Sequence, residues 1–432
     1  MRRRWANMLA GKPIVACALG CAVVLFGGCG ESSHEKGTTL APKQQLGKSI
    51  FFDTNLSLNR NQTCAACHGP AVGWTGPNQA INRRGTVYEG SVGGRFGNRK
   101  PPSSAYATLS PVFGTDPTGT FVGGNFWDGR ATGERLGNPA AEQAEGPFLN
   151  PAEQALSDSA CVVYRVCTAA SYPVRFVDVW GTASCNITWP PGVDTLCESE
   201  NVVVPLSSGD RATSDVAYDN IALSIAAYEG SPEVNAFTSK VDQALKGTAE
   251  LSTTERNGLA LFQGKAMCDN CHLSTGQQPL FTDFTFDNLG LPKNPENPVY
   301  GVDPNFVDSG LGGYLQRAGY PAAVYEAEWG KIKVPTLRNV DLRPSRDFVK
   351  AYGHNGYFKT LEGIVHFYNT RDVLDQCPGD YTEAQALGAN CWPAPEVPMN
   401  VNRDEVGDLG LTADEESAIV AFLKALSDGH VP

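Results

Sequence analysis

Cys64-Ala65-Ala66-Cys67-His68 and Cys268-Asp269-Asn270-Cys271-His272 are the stretches whose reading decides the fold. In a C-x-x-C-H segment the two thiols can form thioethers to the vinyl groups of a haem, and the adjacent imidazole then meets the iron from the proximal side. A zinc site would need the two pairs to converge on one metal, yet each pair has its own His and the two lie far apart in the chain. A thioredoxin-like pair would sit between a strand and a helix, a pattern neither segment has. Two covalently attached haems are the reading that remains.

The flanking sequence repeats as well. LGKSIFF (46–52) precedes the first motif and GLALFQGK (258–265) the second, and each reads as a short amphipathic helix packing near its haem. Ser252 with Glu255, and Thr412 with Glu415, form capping boxes at helix starts; the second precedes Ile419, Phe422, Leu423 and Leu426 at helical spacing. Gly-, Pro- and Asn-rich stretches at 83–104 and 275–330 read as long connections. The expected fold is mainly α, with two cytochrome c-type haem domains, 42–228 and 229–409, and long loops between helices.

At the N-terminus, Arg2 to Arg4 precede an apolar run from Pro13 to Phe26 that ends in Phe26-Gly27-Gly28-Cys29. Residues 1–28 read as an export signal, shorter than the roughly 20 apolar residues a spanning helix needs. The small residues before Cys29 resemble a lipoprotein cleavage box, so Cys29 is expected to carry a lipid anchor to the outer membrane, facing the periplasm, with 29–41 as a polar tether. Of 13 cysteines, Cys17, Cys21 and Cys29 belong to the leader and its cleavage box and four to the motifs. The other six, Cys161, Cys167, Cys185, Cys197, Cys377 and Cys391, read as three disulfides of an exported protein. Cys377 with Cys391 is one expected pair, and local pairing of the rest gives Cys161 with Cys167 and Cys185 with Cys197. A net charge of -12 argues against nucleic acid as a partner.

Together with LGKSIFFDTNLSL (46–58), Phe126-Trp127-Asp128-Gly129-Arg130, EQAEGPFLNPAE (142–153), VPTLRNV (334–340) and HNGYFKTLEGIVHFY (354–368), these motifs resemble the bacterial di-haem cytochrome c peroxidase and MauG family. The resemblance covers nearly all of the chain after its leader. It implies that the N-terminal haem meets hydrogen peroxide and the C-terminal haem handles electrons from a small c-type cytochrome, a cupredoxin or a protein substrate. It carries the distal carboxylate role onto Glu153, with Gln143 and Pro147 in the same pocket; taken alone, Glu153 would read as a helix-start charge after Pro151. Trp127 matches the aromatic between the haems, although a lone Trp of this kind is more often core. Arg338 matches an Arg beside the second haem, facing a propionate or forming a surface salt bridge. The family's last helix returns to the N-terminal domain, so the helix within 410–432 is expected to do the same.

Three departures from the family matter. No His lies between His68 and His272 to close the first iron, and only a Tyr such as Tyr88 could substitute. Tyr368 stands where classical peroxidases have a Met ligand to the second iron; His366 and Met399 are the competing candidates, and His354 reads as structural. The family binds calcium between its domains through an Asn after an Arg, but here Lys100 follows Arg99 and Val349-Lys350-Ala351 replaces the carbonyl segment, which argues against calcium and places Lys100 in its space. The competing function is a pure electron-transfer di-haem cytochrome.

Overall fold

The computed structural model describes residues 39–431, apart from 170 and 171. The export segment, Cys29 and most of the tether lie outside these residues. The first half is built from α1 (Pro42–Phe51), α2 (Pro139–Leu149), α3 (Ser159–Thr168), α4 (Pro173–Trp180) and α5 (Ser208–Glu229). Asn138, Asp158 and Ser207 cap α2, α3 and α5 by accepting from backbone N–H groups of the first turn. The second half contains α6 (Lys240–Leu245), α7 (Thr253–Gln263), α8 (Gly310–Arg317), α9 (Leu361–Thr370), α10 (Glu383–Ala389) and α11 (Ala413–Lys424). Both expected capping boxes are present, at the starts of α7 and α11. Strands are confined to three two-residue pairs: β1 (Gly114–Thr115) with β2 (Phe121–Val122), β3 (Phe286–Asp287) with β4 (Ile332–Lys333), and β5 (Asp375–Gln376) with β6 (Cys391–Trp392). The first two pairs are antiparallel and the third is parallel. No described helix is long and apolar enough to cross a membrane.

Two larger hydrophobic cores divide the described chain between Val234 and Val241, and a smaller one joins Phe113 and Phe121 to Phe286, Leu311 and Leu315. Each of the larger two is organised by a helix crossing at a glycine. A Cβ on Gly47 of α1 would lie 1.8 Å from the Ser224 carbonyl oxygen of α5, and one on Gly258 of α7 would lie 2.0 Å from the Ala418 carbonyl oxygen of α11. Only hydrogen fits between these backbones. Phe51 and Phe262 follow the two glycines by four residues, each fully buried in its own core.

The α7/α11 crossing corrects one expectation. The last helix packs on the second half, where Phe422 meets Phe262 edge-on at 5.2 Å, and not on the N-terminal domain. The reason is local: the flat face at Gly258 takes α11, while the corresponding face at Gly47 is already covered by α5. Only the tail beyond α11 reaches across, where Asp428 accepts from the Tyr106 hydroxyl at 2.6 Å.

The disulfides correct another. Cys377 pairs with Cys391 as expected, but Cys161 pairs with Cys197 and Cys167 with Cys185, one loop nested inside the other. Cys161 and Cys167 both lie in α3. Six residues along a helix carry them about 9 Å apart and onto different faces, beyond disulfide reach.

Buried ions join the halves. Arg99 donates to Asp308 at 2.6 and 2.7 Å and to Asp128 at 2.8 Å. Asp128, also bound by Arg130, fixes the Phe126–Arg130 segment against the second half. Burial pushes both carboxyls up, but the guanidinium of Arg99 outweighs it, holding Asp308 and Asp128 below the usual carboxylate range.

Candidate functional site

Each C-x-x-C-H segment begins as one short 3-10 turn, Cys64–Ala66 and Cys268–Asn270, which presents the motif at the start of a loop. The four motif cysteines are the only unpaired ones among the described residues, and all are half-buried. The two histidines share one anchoring device. His68 Nδ1 is 3.2 Å from the Trp74 carbonyl oxygen, and His272 Nδ1 is 2.8 Å from that of Phe281. A carbonyl accepts only, so Nδ1 carries the proton and Nε2 keeps its lone pair. Burial lowers His68 to about 4 and lowers His272 as well, so both rings are neutral near pH 7.

Two cavities adjoin these rings. The larger is bordered by Cys268, Cys271, His272 and Tyr368, and the smaller by His68, Gln143 and Glu229. Trp127 borders both. Its indole N–H donates to the Lys100 carbonyl at 2.8 Å, which fixes the ring in the shared wall, and His354 lies edge-on to it at 6.5 Å. The larger cavity combines unpaired thiols with a free Nε2 lone pair, the donor set a c-type haem would use, whereas the smaller is reached by His68 but not by Cys64 or Cys67.

Glu153 is not at a helix start. It lies in a turn after α2, tied back by the Gln154 N–H on the Pro147 carbonyl at 3.0 Å, and the next helix begins only at Ser159. Its Oε2 is buried without a hydrogen-bond partner. Burial raises its pKa, partly offset by the charge of Arg130 and a bond from Asn150. One carboxylate oxygen here is thus left without a hydrogen bond. Gln143 reaches the smaller cavity, whereas Pro147 and Glu153 sit on the same helix-and-turn unit without bordering it.

At the second site, Tyr368 on α9 borders the larger cavity, and burial raises its hydroxyl pKa. Its rivals point elsewhere. His366 Nδ1 is bound to Glu416 of α11 at 3.0 Å, and Met399 is half exposed. Arg338 is no surface salt bridge: its guanidinium forms a buried bidentate pair with Asp242 at 2.8 and 2.9 Å on the cavity wall. Tyr88 does not approach a cavity; its hydroxyl accepts from Asn78 N–H at 2.8 Å and donates to Asn82 Oδ1 at 3.2 Å. Lys100 is half-buried, with its ammonium on Thr75 Oγ1 and the Pro101 carbonyl.

Sequence reasoning missed Glu229, a carboxyl in the smaller cavity that burial raises to about 8. The available signal was its spacing, since Ile221, Ile225 and Glu229 form one buried stripe on α5.

A mainly helical chain with two such cavities and a shared tryptophan wall is the class of a two-haem cytochrome. The family described as di-haem cytochrome c peroxidase matches residues 41–250. The chain is 32% identical over 423 residues to the methylamine utilization protein MauG of Paracoccus denitrificans, spanning 96% of this chain and 95% of that protein. It is 28% identical over 399 residues to the cytochrome-c peroxidase IdrP1 of Denitromonas iodatirespirans, spanning 90% and 82%. The solved structure of the diheme peroxidase BthA from Burkholderia thailandensis matches with a TM-score of 0.70 and 26% identity, over 90% of this chain and 87% of that one. The chain belongs to the di-haem cytochrome c peroxidase and MauG family, and it is an oxidoreductase of the di-haem peroxidase type.

Proposed function

We propose that hydrogen peroxide reacts at a haem held by Cys64, Cys67 and His68, and that electrons arrive through a second haem held by Cys268, Cys271 and His272 and faced by Tyr368. Bound there, haem supplies an iron that takes oxygen ligands and exchanges electrons. The protein's own groups do the rest. Glu153 accepts a proton from one peroxide oxygen and delivers it to the other, the acid-base work that O–O cleavage needs. Gln143 offers both a donor and an acceptor on the cavity wall. Trp127, held in the shared wall, relays electrons between the cavities. The source of electrons is a small c-type cytochrome, a cupredoxin or a protein substrate. A phenol oxygen from Tyr368 favours oxidised iron where a thioether would raise the potential, which suits oxidation of a partner. On this reading the protein works in the periplasm, with a lipid anchor on Cys29.

The observation that carries this reading is the buried, unpartnered Oε2 of Glu153. With no His between the two motifs and the Tyr88 hydroxyl engaged by Asn78 and Asn82, neither of these side chains is free to close the first site. Fully oxidised protein mixed with peroxide in a stopped-flow spectrometer should therefore react without prior reduction. Oxidised protein that stays inert would leave only a pure electron-transfer cytochrome or a closed first site.

A further inference from the structure

Two lysines border the larger cavity without a carboxylate partner among the described residues. Lys350 is buried, Lys100 is half-buried, and both border it. An ammonium has three hydrogens to donate. Lys100 gives two, to Thr75 Oγ1 at 3.0 Å and the Pro101 carbonyl at 3.1 Å. Lys350 also gives two, to the Asn339 and Leu342 carbonyls at 2.8 and 3.0 Å. Each keeps one, and among the described residues neither has a carboxylate within 4.0 Å, since neither forms any of the ion pairs found. Lys333, a third lysine on the same wall, differs because Ser110, Gly124 and Asn125 take all of its hydrogens.

The pair belongs to both halves. The Lys100 backbone N–H donates to the His354 carbonyl at 2.8 Å, and the Lys350 ammonium lies 3.4 Å from where a Cβ on Gly73 would stand. Lys100 also lies 5.9 Å from the centre of the Trp127 ring. The carboxylates of Asp287 and Glu405, by contrast, gather within 4.8 Å of the Cys271 sulfur. Two like charges in such a place repel, and a lysine there holds its proton more readily with an anion beside it. A haem carries two propionates on one edge.

We propose that Lys100 and Lys350 receive the propionates of the second haem, so that one carboxylate-bearing ligand neutralises a lysine from each half and fastens the halves together. This rests on the reading of Cys268, Cys271 and His272 as a haem site. Burial lowers Lys100 to about 8 and Lys350 further, the direction that a neighbouring anion reverses.

The test compares Lys100→Met and Lys350→Met with Lys100→Arg and Lys350→Arg in the haem-loaded protein, reading haem content and the midpoint potential of each haem. Loss of a positive charge beside the second haem should shift its reduction equilibrium at least tenfold toward the ferric form, about 59 mV for one electron. The Arg variants should stay near wild type. An unmoved midpoint with both haems present, or Arg variants that shift as far as Met, would overturn the proposal. Should the Met variants fail to fold, a structure of the wild-type holoprotein decides: propionate oxygens belong within about 3.2 Å of the ammonium groups, and a separation well beyond that rules the contact out. Wild-type protein without haem at Cys268 and Cys271 would remove the haem reading and this proposal together.

Discussion

Glu153 holds one buried carboxylate oxygen that no hydrogen bond uses. If that carboxylate moves the proton, Glu153→Gln should retain both haems and lose about 100- to 10,000-fold in the rate of reaction with peroxide, read by stopped-flow absorbance. A rate equal to wild type would mean that the buried oxygen has only a structural part. Tyr368 makes the second residue-scale prediction. Tyr368→Met should raise the midpoint potential of the second haem in a redox titration, because a thioether favours the reduced iron more than an oxygen ligand does. No change would make Tyr368 a packing residue. What the sequence showed at this scale was whatever chemistry is written locally: two thiols and an imidazole in five residues are legible alone. Lys350 was not, because a lysine between Val349 and Ala351 looks like any solvated lysine until both halves close over it.

The elements repeat the same contrast. Capping boxes at Ser252/Glu255 and Thr412/Glu415 were readable because each joins residues three apart. The partner of each helix was not, because nothing in LGKSIFF or GLALFQGK says which later helix its glycine will touch. Gly258→Ala tests this crossing. Alanine in an open helix gains about 1 kcal/mol over glycine, but a Cβ 2.0 Å from a backbone carbonyl has no rotamer to escape into. Overpacking of this kind costs about 1–3 kcal/mol, so the net effect should be destabilising, with Gly47→Ala behaving alike. Gly209→Ala, in α5 with nothing within 4 Å of its Cβ, serves as the control and should be neutral or stabilising. Thermal unfolding of the three variants separates them.

Over the whole molecule, the two halves are held by Arg99 between Asp308 and Asp128, and this bond should fail in acid. Both carboxyls are depressed in the folded protein, so their stabilisation is complete above the unfolded value near 3.9 and disappears as the pH falls through the lower folded values. Asp308→Asn should cost about 3–5 kcal/mol at pH 7, because it leaves a buried guanidinium short of a partner. Chemical denaturation of wild type and variant should show that gap persisting down to about pH 4 and narrowing below it. A gap that narrows already between pH 7 and 5 would point to another group.

The nested disulfides carry a consequence for how the molecule is made. Cysteines leave a synthesis machine in order, so an oxidant that joins neighbours as they appear would link Cys161 to Cys167 and Cys185 to Cys197, both of them wrong. Those links can be undone only by attack of a thiolate on the disulfide, while the thiols of Cys64 and Cys67, already present, must stay reduced for the proposed haem attachment. Maturation is thus a contest between oxidation and reduction within one chain. The arbiter is the first core itself: α3 sets its two cysteines on different faces, and once it has packed only the nested pairing remains within reach.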